Sequence, residues 1–237
     1  MNFTVGVYDL FTYAAPGSLY LSLVLYVSDR LSWIDPLRVL QFNTTLIVIS
    51  GAILSYLIGH VAYELGYLLS RAYGHEKNMN DARIEFVERV PNTMGRPFLK
   101  ADRFLLLAAI EMHGIEAASE IGRLRAIGLM LRNSAPVFLL GAVVELADIL
   151  TGAHPTVAGC CVVIFLLTTW GCLYQSAVVR HWANIKTLQL AYWVPDIDQV
   201  LDHDSFSLKR SQGDSDDLVA HPARRIIRRC LKWLRNA

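Results

Sequence analysis

The chain has 237 residues, of which 54% are hydrophobic and 18% charged, and its formal net charge at pH 7 is +1. Its mean hydropathy of +0.35 is high for a water-soluble domain and disfavours that class. Cys160, Cys161 and Cys172 share one apolar run and Cys230 lies in a basic tail, so the sequence has neither a disulfide framework nor the paired C-x-x-C of a zinc site.

Four runs with few or no charges are long enough to cross a bilayer as helices, which takes about 20 apolar residues. They span residues 10–27, 44–70, 135–153 and 156–179. Lipid offers no partner for backbone N–H and C=O groups, so each run is predicted to be a helix. The predicted fold class is therefore all-α, an integral membrane protein with four transmembrane helices plus cytoplasmic helical segments.

Lys and Arg residues fall almost entirely on one side of these runs. Ten of the 22 lie in residues 71–133 and ten from Arg180 onward, whereas the first connection holds only Arg30 and Arg38. Cytoplasmic segments carry an excess of Lys and Arg, so both termini are predicted to be cytoplasmic, in the inner (plasma) membrane of the cell. The chain then divides into a first transmembrane hairpin (1–70), a cytoplasmic helical domain (71–133), a second transmembrane hairpin (134–179) and a cytoplasmic tail (180–237).

The second run carries two ionisable side chains, His60 and Glu64, one helical turn apart on one face. Such groups are costly at membrane depth, and these two can relay protons, tune an ion path or pack as a polar pair. A metal would need a further ligand, and none occurs at a useful spacing, so neither a metal nor a cofactor is predicted. The same run has a stripe of small residues that predicts close helix packing. These residues are Gly51, Ser55, Gly59, Ala62 and Gly66.

Between the second and third runs, the pattern predicts two further helices. Residues 79–90 have apolar positions at helical spacing, and the Pro and Gly residues of segment 91–97 then break the chain. Phe98 to Arg132 is predicted to form one long helix, weakened at Gly114 and Gly122, whose apolar stripe needs the first helix or another subunit as its partner. The stripe consists of Leu105, Ala108, Ala109, Met112, Ile115 and Ala118.

The third run contains Gly141, Glu145, Asp148 and Gly152 at spacings that put them on one helix face. Carboxylates at such a position can line a cation path, because rings of carboxylates from several subunits select cations. Alternatively, the two carboxylates accept hydrogen bonds from Ser, Thr or Tyr within a packed bundle, with the glycines allowing close helix contact. Both interpretations remain open from the sequence.

The fourth run is predicted to continue beyond the membrane to Trp193, and residues 195–217 then hold seven Asp against two cations, which is typical of a disordered linker. Residues 218–237 have six cations, no acid and an apolar stripe at helical spacing. This segment can lie on anionic lipid, bind a polyanion such as a nucleic acid, or remain solvated. The candidate polyanion-binding or lipid-binding residues are Arg123, Arg125, Arg132, Arg224, Arg225, Arg228, Arg229, Lys232 and Arg235.

Motifs of enzyme active sites are missing from the sequence. It contains no glycine-rich phosphate loop, no G-x-S-x-G and no H-E-x-x-H, and its two halves show no inverted repeat of the transporter kind. The prediction is therefore that the chain is not an enzyme.

The segment Tyr8-Asp-Leu-Phe-Thr-Tyr-Ala-Ala-Pro-Gly17, the four short spans and the Arg-rich helix at Arg123, Arg125 and Arg132 resemble small membrane effectors of bacterial phage-defence systems. Hailong, Kiwa and the cyclic-oligonucleotide systems have effectors of this kind. The resemblance implies an oligomeric channel or membrane disruptor, held shut until infection. It also implies control from the cytoplasm by a nucleotide, a nucleic acid or a partner protein.

The leading hypothesis is a homo-oligomeric membrane effector with a gated ion path. Glu145 and Asp148 would line this path, and His60 and Glu64 would support it. One alternative is a non-conducting anchor that docks a soluble protein through residues 71–133. Another is a small transporter or lipid-modifying membrane enzyme.

Overall fold

A computed structural model describes residues 3–33, 43–74, 79–151, 155–195 and 197–198. Within these ranges the chain is helical and contains no strand, which confirms the all-α class. The elements are α1 (Phe3–Arg30), α2 (Thr44–Tyr73), α3 (Met79–Arg89), two short 3₁₀ turns (Pro91–Thr93 and Pro97–Leu99), α4 (Arg103–His113), α5 (Ile115–Thr151) and α6 (Pro155–Tyr192). Helices α1, α2, α5 and α6 are each long and apolar enough to cross a membrane, as the four runs predict.

Local chemistry fixes both ends of α2. The Asn43 side chain accepts a hydrogen bond from the Thr45 backbone N–H at 2.9 Å, which satisfies one of the free donors at the helix N-terminus. At the other end Gly74 adopts a φ of 68° and donates its N–H to the Arg71 carbonyl oxygen. Glycine reaches this left-handed conformation without steric cost. The helix therefore extends only a few residues past the predicted run.

Helices α1 and α2 pack with their backbones in contact. A Cβ atom added at Gly17 would lie 1.7 Å from the Ser55 carbonyl oxygen, and one added at Gly59 would lie 2.0 Å from the Tyr13 carbonyl oxygen. These two contacts run in opposite order along the two helices, so α1 and α2 are antiparallel. Such close approach requires residues without a side chain at the contact.

The predicted small-residue stripe of α2 holds at four of its five positions. Ser55, Gly59, Ala62 and Gly66 are buried. Gly66 faces α5, where an added Cβ atom would lie 2.8 Å from the Arg132 carbonyl oxygen. At Gly51 a Cβ atom would meet nothing within 4 Å among the described residues, so no helix of the same chain packs closely against it there.

Helices α5 and α6 form a second antiparallel hairpin, since Gly128 lies against Arg180 and Gly141 lies against Phe165. The Ser176 hydroxyl donates to the Gly128 carbonyl oxygen at 2.8 Å and joins the helices within their buried contact. They contain 37 and 38 residues, which at about 1.5 Å per residue gives about 55 Å each. Both helices therefore extend well beyond the thickness of a membrane core, about 30 Å.

The domain boundary predicted after residue 133 falls inside α5. The helix predicted from Phe98 to Arg132 instead begins at Arg103 and is interrupted at Gly114, whose extended backbone separates α4 from α5. Helix α5 then continues through Pro136, which removes one backbone donor but does not end the helix. The predicted cytoplasmic domain and second hairpin therefore share one continuous helix.

A second packed unit, which we call the helical module, consists of α3, the 3₁₀ turns, α4 and the adjoining ends of α5 and α6. Its buried core contains Ala82, Phe86, Phe98, Leu99, Leu106, Ile110, Ile121, Ile185, Leu188, Ala191, Val194 and Ile197. The rings of Phe86 and Phe98 meet edge to face with their centroids 6.3 Å apart, a favoured aromatic geometry. Because Ile121 belongs to α5 and Leu188 to α6, the core holds the module on both long helices.

The apolar stripe predicted along α4 and the start of α5 faces the module core only in part. Ala109 and Ala118 pack against the core, which Leu106 and Ile110 fill, whereas Met112 is 86% exposed and Ile115 60% exposed. Helix α4 is apolar on two sides, and its short sequence pattern does not distinguish the inner side from the outer one. The module consequently carries an uncovered apolar surface.

A hydrogen-bonded pair of side chains joins α3 to α6 within the module. The Glu85 carboxylate (Oε2) lies 2.6 Å from Nε2 of the buried His181, and the same carboxylate pairs with Arg89. The hydrogen bond from His181 is the main cause that lowers the pKa of Glu85 below its ordinary value of 4.5, and the charge of Arg89 acts in the same direction. The ionised carboxylate is therefore the form that the folded module favours.

The depressed pKa of Glu85 predicts acid sensitivity of the module. Stability contributed by a carboxylate with a lowered folded pKa is fully present above its ordinary pKa and is lost as the pH falls through the folded pKa. We expect Glu85→Gln to lower the melting temperature at neutral pH and to reduce the further loss below about pH 4.5. Thermal unfolding across this range should show no such change for Glu88→Gln, which alters an exposed carboxylate of the same helix. Identical acid profiles for the wild type and Glu85→Gln would contradict the assignment.

Candidate functional site: ionisable side chains between the long helices

Two carboxylates of α5 contact the C-terminal end of α1, at the end of the bundle that lies far from the helical module. The Tyr26 hydroxyl donates to Oε1 of Glu145 at 3.2 Å. Arg30 contacts Asp148 through Nε at 3.2 Å and through Nη2 at 2.8 Å. Two N–H groups of one guanidinium thus bind both oxygens of one carboxylate, which is a strong and directional arrangement. We call these four residues the polar cluster.

Helical spacing explains why the polar cluster forms. Tyr26 and Arg30 are one turn apart on α1, and Glu145 and Asp148 are nearly one turn apart on α5, so one helix contact brings both pairs together. The order of the pairs makes α1 and α5 parallel. The Asp148 side chain is 15% exposed and that of Arg30 43%, so the ion pair is only partly shielded from its surroundings.

The sequence prediction found half of the polar cluster. It placed Glu145 and Asp148 on one face, and it also named Tyr hydroxyls as an alternative partner. It missed Tyr26 and assigned Arg30 to a connecting loop. Tyr26 and Arg30 are four residues apart at the end of the first run, and Glu145 and Asp148 are three residues apart. This similar spacing could have indicated that the two pairs meet.

The glycines that flank the carboxylates do not belong to the polar cluster. A Cβ atom at Gly141 would lie 3.2 Å from the Phe165 ring, so Gly141 serves the contact between α5 and α6, as the helix-packing prediction requires. Gly152 lies outside the described residues. The cluster itself combines two carboxyl groups of α5 with one hydroxyl and one guanidinium of α1.

His60 and Glu64 do not form a pair within the described residues. The His60 ring stacks on Tyr13 with the centroids 4.1 Å apart, and its Nδ1 lies 3.0 Å from the Tyr56 carbonyl oxygen. Glu64 is exposed on the surface of α2. His60 thus belongs to the contact between α1 and α2, while Glu64 does not.

The structure also separates these two residues from the polar cluster. Tyr13 and Tyr26 lie on the same helix, α1, and their separation along it corresponds to about 20 Å at 1.5 Å per residue. His60, which stacks on Tyr13, is therefore far from Glu145. The four predicted pathway residues occupy two regions of the bundle.

Arg132 is buried, although the sequence predicted it to bind a polyanion or lipid. The residue is 4% exposed, and its guanidinium carbon lies 4.6 Å from the centroid of the Tyr63 ring on α2, within the range of a cation–π contact. The prediction is wrong for Arg132 because α2 covers this part of α5. The neighbouring Asn133 is fully buried and was not recognised from the sequence.

The other predicted basic residues differ in accessibility. Arg123 is exposed, whereas Arg125 is partly buried and donates from Nη2 to the Thr187 hydroxyl at 3.3 Å. Arg123 is thus accessible to a polyanion, while Arg125 joins α5 to α6. The six basic residues from Arg224 to Arg235 lie outside the described residues.

Ligands for a metal do not converge in the part of the chain that the structure describes, where no group of three His, Cys, Asp or Glu side chains is found. Cys160, Cys161 and Cys172 are free thiols. The candidate site therefore consists of the polar cluster and the helices that position it. No family model, curated protein or solved structure with which the chain was compared matches it.

Proposed function

We propose that this chain is a four-span membrane effector in which the helical module, on the cytoplasmic side, controls an ion path at the polar cluster. The observation that carries the proposal is the continuity of α5, which runs unbroken from Ile121 in the module core to Glu145 and Asp148 in the cluster. Helix α6 accompanies it along the hairpin. A displacement of the module therefore moves the carboxylates relative to α1, in the manner of helix shifts in other switching proteins.

Membrane insertion is supported by the surface of the long helices. Leu46, Val48, Leu57 and Val61 of α2 are each more than half exposed, and a water-soluble protein rarely leaves so large an apolar face uncovered. Along α5, the distance from Arg132 to Asp148 is about 24 Å at 1.5 Å per residue. This distance is close to the thickness of the hydrocarbon core, about 30 Å.

The ion path requires more than one copy of the chain. Contacts such as Gly17 with Ser55 bring the backbones of α1 and α2 together, which closes the space between these two helices within one chain. We therefore propose a homo-oligomer in which the polar cluster of each subunit faces a shared axis. At rest Arg30 neutralises Asp148, and the path opens when this ion pair separates.

A role in bacterial phage defence is proposed from the architectural resemblance alone. In that setting the regulator would be a nucleotide, a nucleic acid or a protein that acts on the module. Protection of cells against plaque formation, lost in a variant without flux, would support this role.

A non-conducting anchor is the second candidate function. It is favoured by the uncovered apolar surface of the module, where Met112 and Ile115 lie exposed, because such surfaces commonly bind other proteins. An anchor needs no ion path, so it predicts that changes in the polar cluster leave membrane permeability unaltered.

Cation flux through liposomes that contain the purified chain distinguishes these two functions. The gated path predicts higher flux for Arg30→Ala than for the wild type, with no such increase for Asp148→Ala. Equal and low flux in all three proteins would overturn the gated path and favour the anchor.

A further inference from the structure

We infer that the basic C-terminal segment, residues 218–237, docks on the outer face of the helical module. This outer face consists of Phe104, Leu105, Ala108 and Met112 of α4 and Ile115 at the start of α5. The docking involves the module alone and does not depend on whether the bundle conducts ions. It rests on the proposed function only for the position of the membrane.

The outer face combines exposed apolar side chains with acidic ones. Phe104 is 61% exposed and Met112 86%, on the side of α4 opposite the buried Leu106 and Ile110. From residue 104 to residue 120 the sequence contains three acids and no Lys or Arg. These acids, Glu111, Glu116 and Glu120, are all exposed, although Glu120 pairs with Lys186 at 3.5 Å. Arg103 lies over the Phe104 ring at one end of the face, so Glu111 and Glu116 carry its acidic character. An apolar strip bordered by carboxylates suits a basic amphipathic partner.

The bilayer is too far away to cover the Ile115 end of this face. Ile115 and Arg132 lie on the same continuous helix, and their separation along it corresponds to about 25 Å at 1.5 Å per residue. With Arg132 at the inner boundary of the hydrocarbon, Ile115 and the neighbouring Met112 lie in the aqueous phase. The element that covers this end must therefore be protein.

The C-terminal segment has the matching chemistry. It contains six cations and no acid, and Ile226, Ile227, Cys230, Leu231 and Leu234 fall on one side of its predicted helix. Its charge is opposite to that of the outer face, and its apolar stripe provides the contact that α4 lacks.

The C-terminal segment is also held within reach. The described chain ends at Asp198, whose Oδ1 accepts the Phe98 backbone N–H at 3.2 Å, and Ile197 lies in the module core. The connecting residues, 199–217, can extend over as much as about 60 Å at 3.3 Å per residue. Such a tether gives a local concentration on the order of millimolar.

Docking has a regulatory consequence. While it occupies the outer face, the C-terminal segment is withheld from anionic lipids and polyanions, which would compete for the same cations. A ligand that captures the segment uncovers the apolar strip of α4. The segment and the outer face therefore act as mutually exclusive binding surfaces.

Disulfide trapping in the full-length chain tests the inference, with the native Cys230 as one partner. Cys160, Cys161 and Cys172 are first replaced by alanine, and Ile115→Cys supplies the second thiol. Ile84→Cys on α3 is the matched control, because Ile84 is 61% exposed and Ile115 60%. Under copper-phenanthroline oxidation we expect an intramolecular disulfide, seen as a faster-migrating monomer, to form about tenfold faster in the Ile115→Cys protein than in the Ile84→Cys protein.

A charge-reversal variant makes the test sharper. Glu111→Lys and Glu116→Lys together, added to the Ile115→Cys protein, should reduce the rate of trapping by about tenfold, since rim charges mainly steer association. Circular dichroism should show that the helices persist. Equal trapping rates for the Ile115→Cys and Ile84→Cys proteins would overturn the inference. So would a disulfide-linked dimer as the main product, which would identify a second copy as the occupant. Liposome flux has no bearing on either outcome.

Discussion

Gly59→Leu is expected to separate α1 from α2 and to destabilise the bundle strongly. An added Cβ atom alone would lie 2.0 Å from the Tyr13 carbonyl oxygen and 2.9 Å from its Cα atom. These are backbone atoms, so no rotation of a side chain relieves the clash. Overpacking of an interior typically costs about 1–3 kcal/mol and occasionally more, and the loss here should reach at least the upper part of that range.

Gly51→Leu is the matched control for this experiment. It makes the same substitution on the same helix at a position where an added Cβ atom meets nothing within 4 Å. Its effect on the free energy of unfolding should stay within about 0.5 kcal/mol. Unfolding by denaturant in detergent micelles measures both variants. Equal destabilisation by the two substitutions would show that the close contact of Gly59 with Tyr13 does not hold α1 against α2.

Arg30→Ala and Asp148→Ala are expected to change cation flux in opposite directions. Without Arg30, the Asp148 carboxylate loses the two hydrogen bonds that it accepts from Nε and Nη2 of that guanidinium. Arg30 is 43% exposed, so its ion pair is worth about 1 kcal/mol. A change of that size raises the open population about fivefold.

Asp148→Ala should not produce this increase. It breaks the same ion pair but also removes a carboxylate that attracts the cation, so flux should stay at or below the wild-type level. The double variant should resemble Asp148→Ala, and Arg71→Ala, which removes an exposed cation near the end of α2, should resemble the wild type. Equal increases for Arg30→Ala and Asp148→Ala would show that the pair is only a structural brace between α1 and α5.

Local patterns predicted the helices well, because length and periodicity are properties of short stretches of sequence. The four apolar runs became α1, α2, α5 and α6, and the segment 79–90 became α3. Local patterns did not predict which of two glycines would interrupt a helix. Gly114 interrupts the helix while Gly122 does not, and the difference depends on how α4 folds back onto the module.

Contacts between distant segments account for most of what the sequence did not reveal. Tyr26 and Glu145 are 119 residues apart, and no spacing rule within one helix connects them. Arginine is a residue type usually found at the protein surface, and only the approach of Tyr63 shows that Arg132 is buried. The two apolar sides of α4 likewise become distinguishable only when the positions of α5 and α6 are known.

Membrane topology is the measurement that tests the account most directly, because its central claim places the helical module and both termini on one aqueous side of a four-span bundle. Reporter tags at the N-terminus, within residues 75–78 and at the C-terminus should all report the cytoplasm. A tag within residues 34–42 should report the opposite side. If any of the first three tags emerges opposite the other two, the module cannot act on the polar cluster through α5, and the account is contradicted.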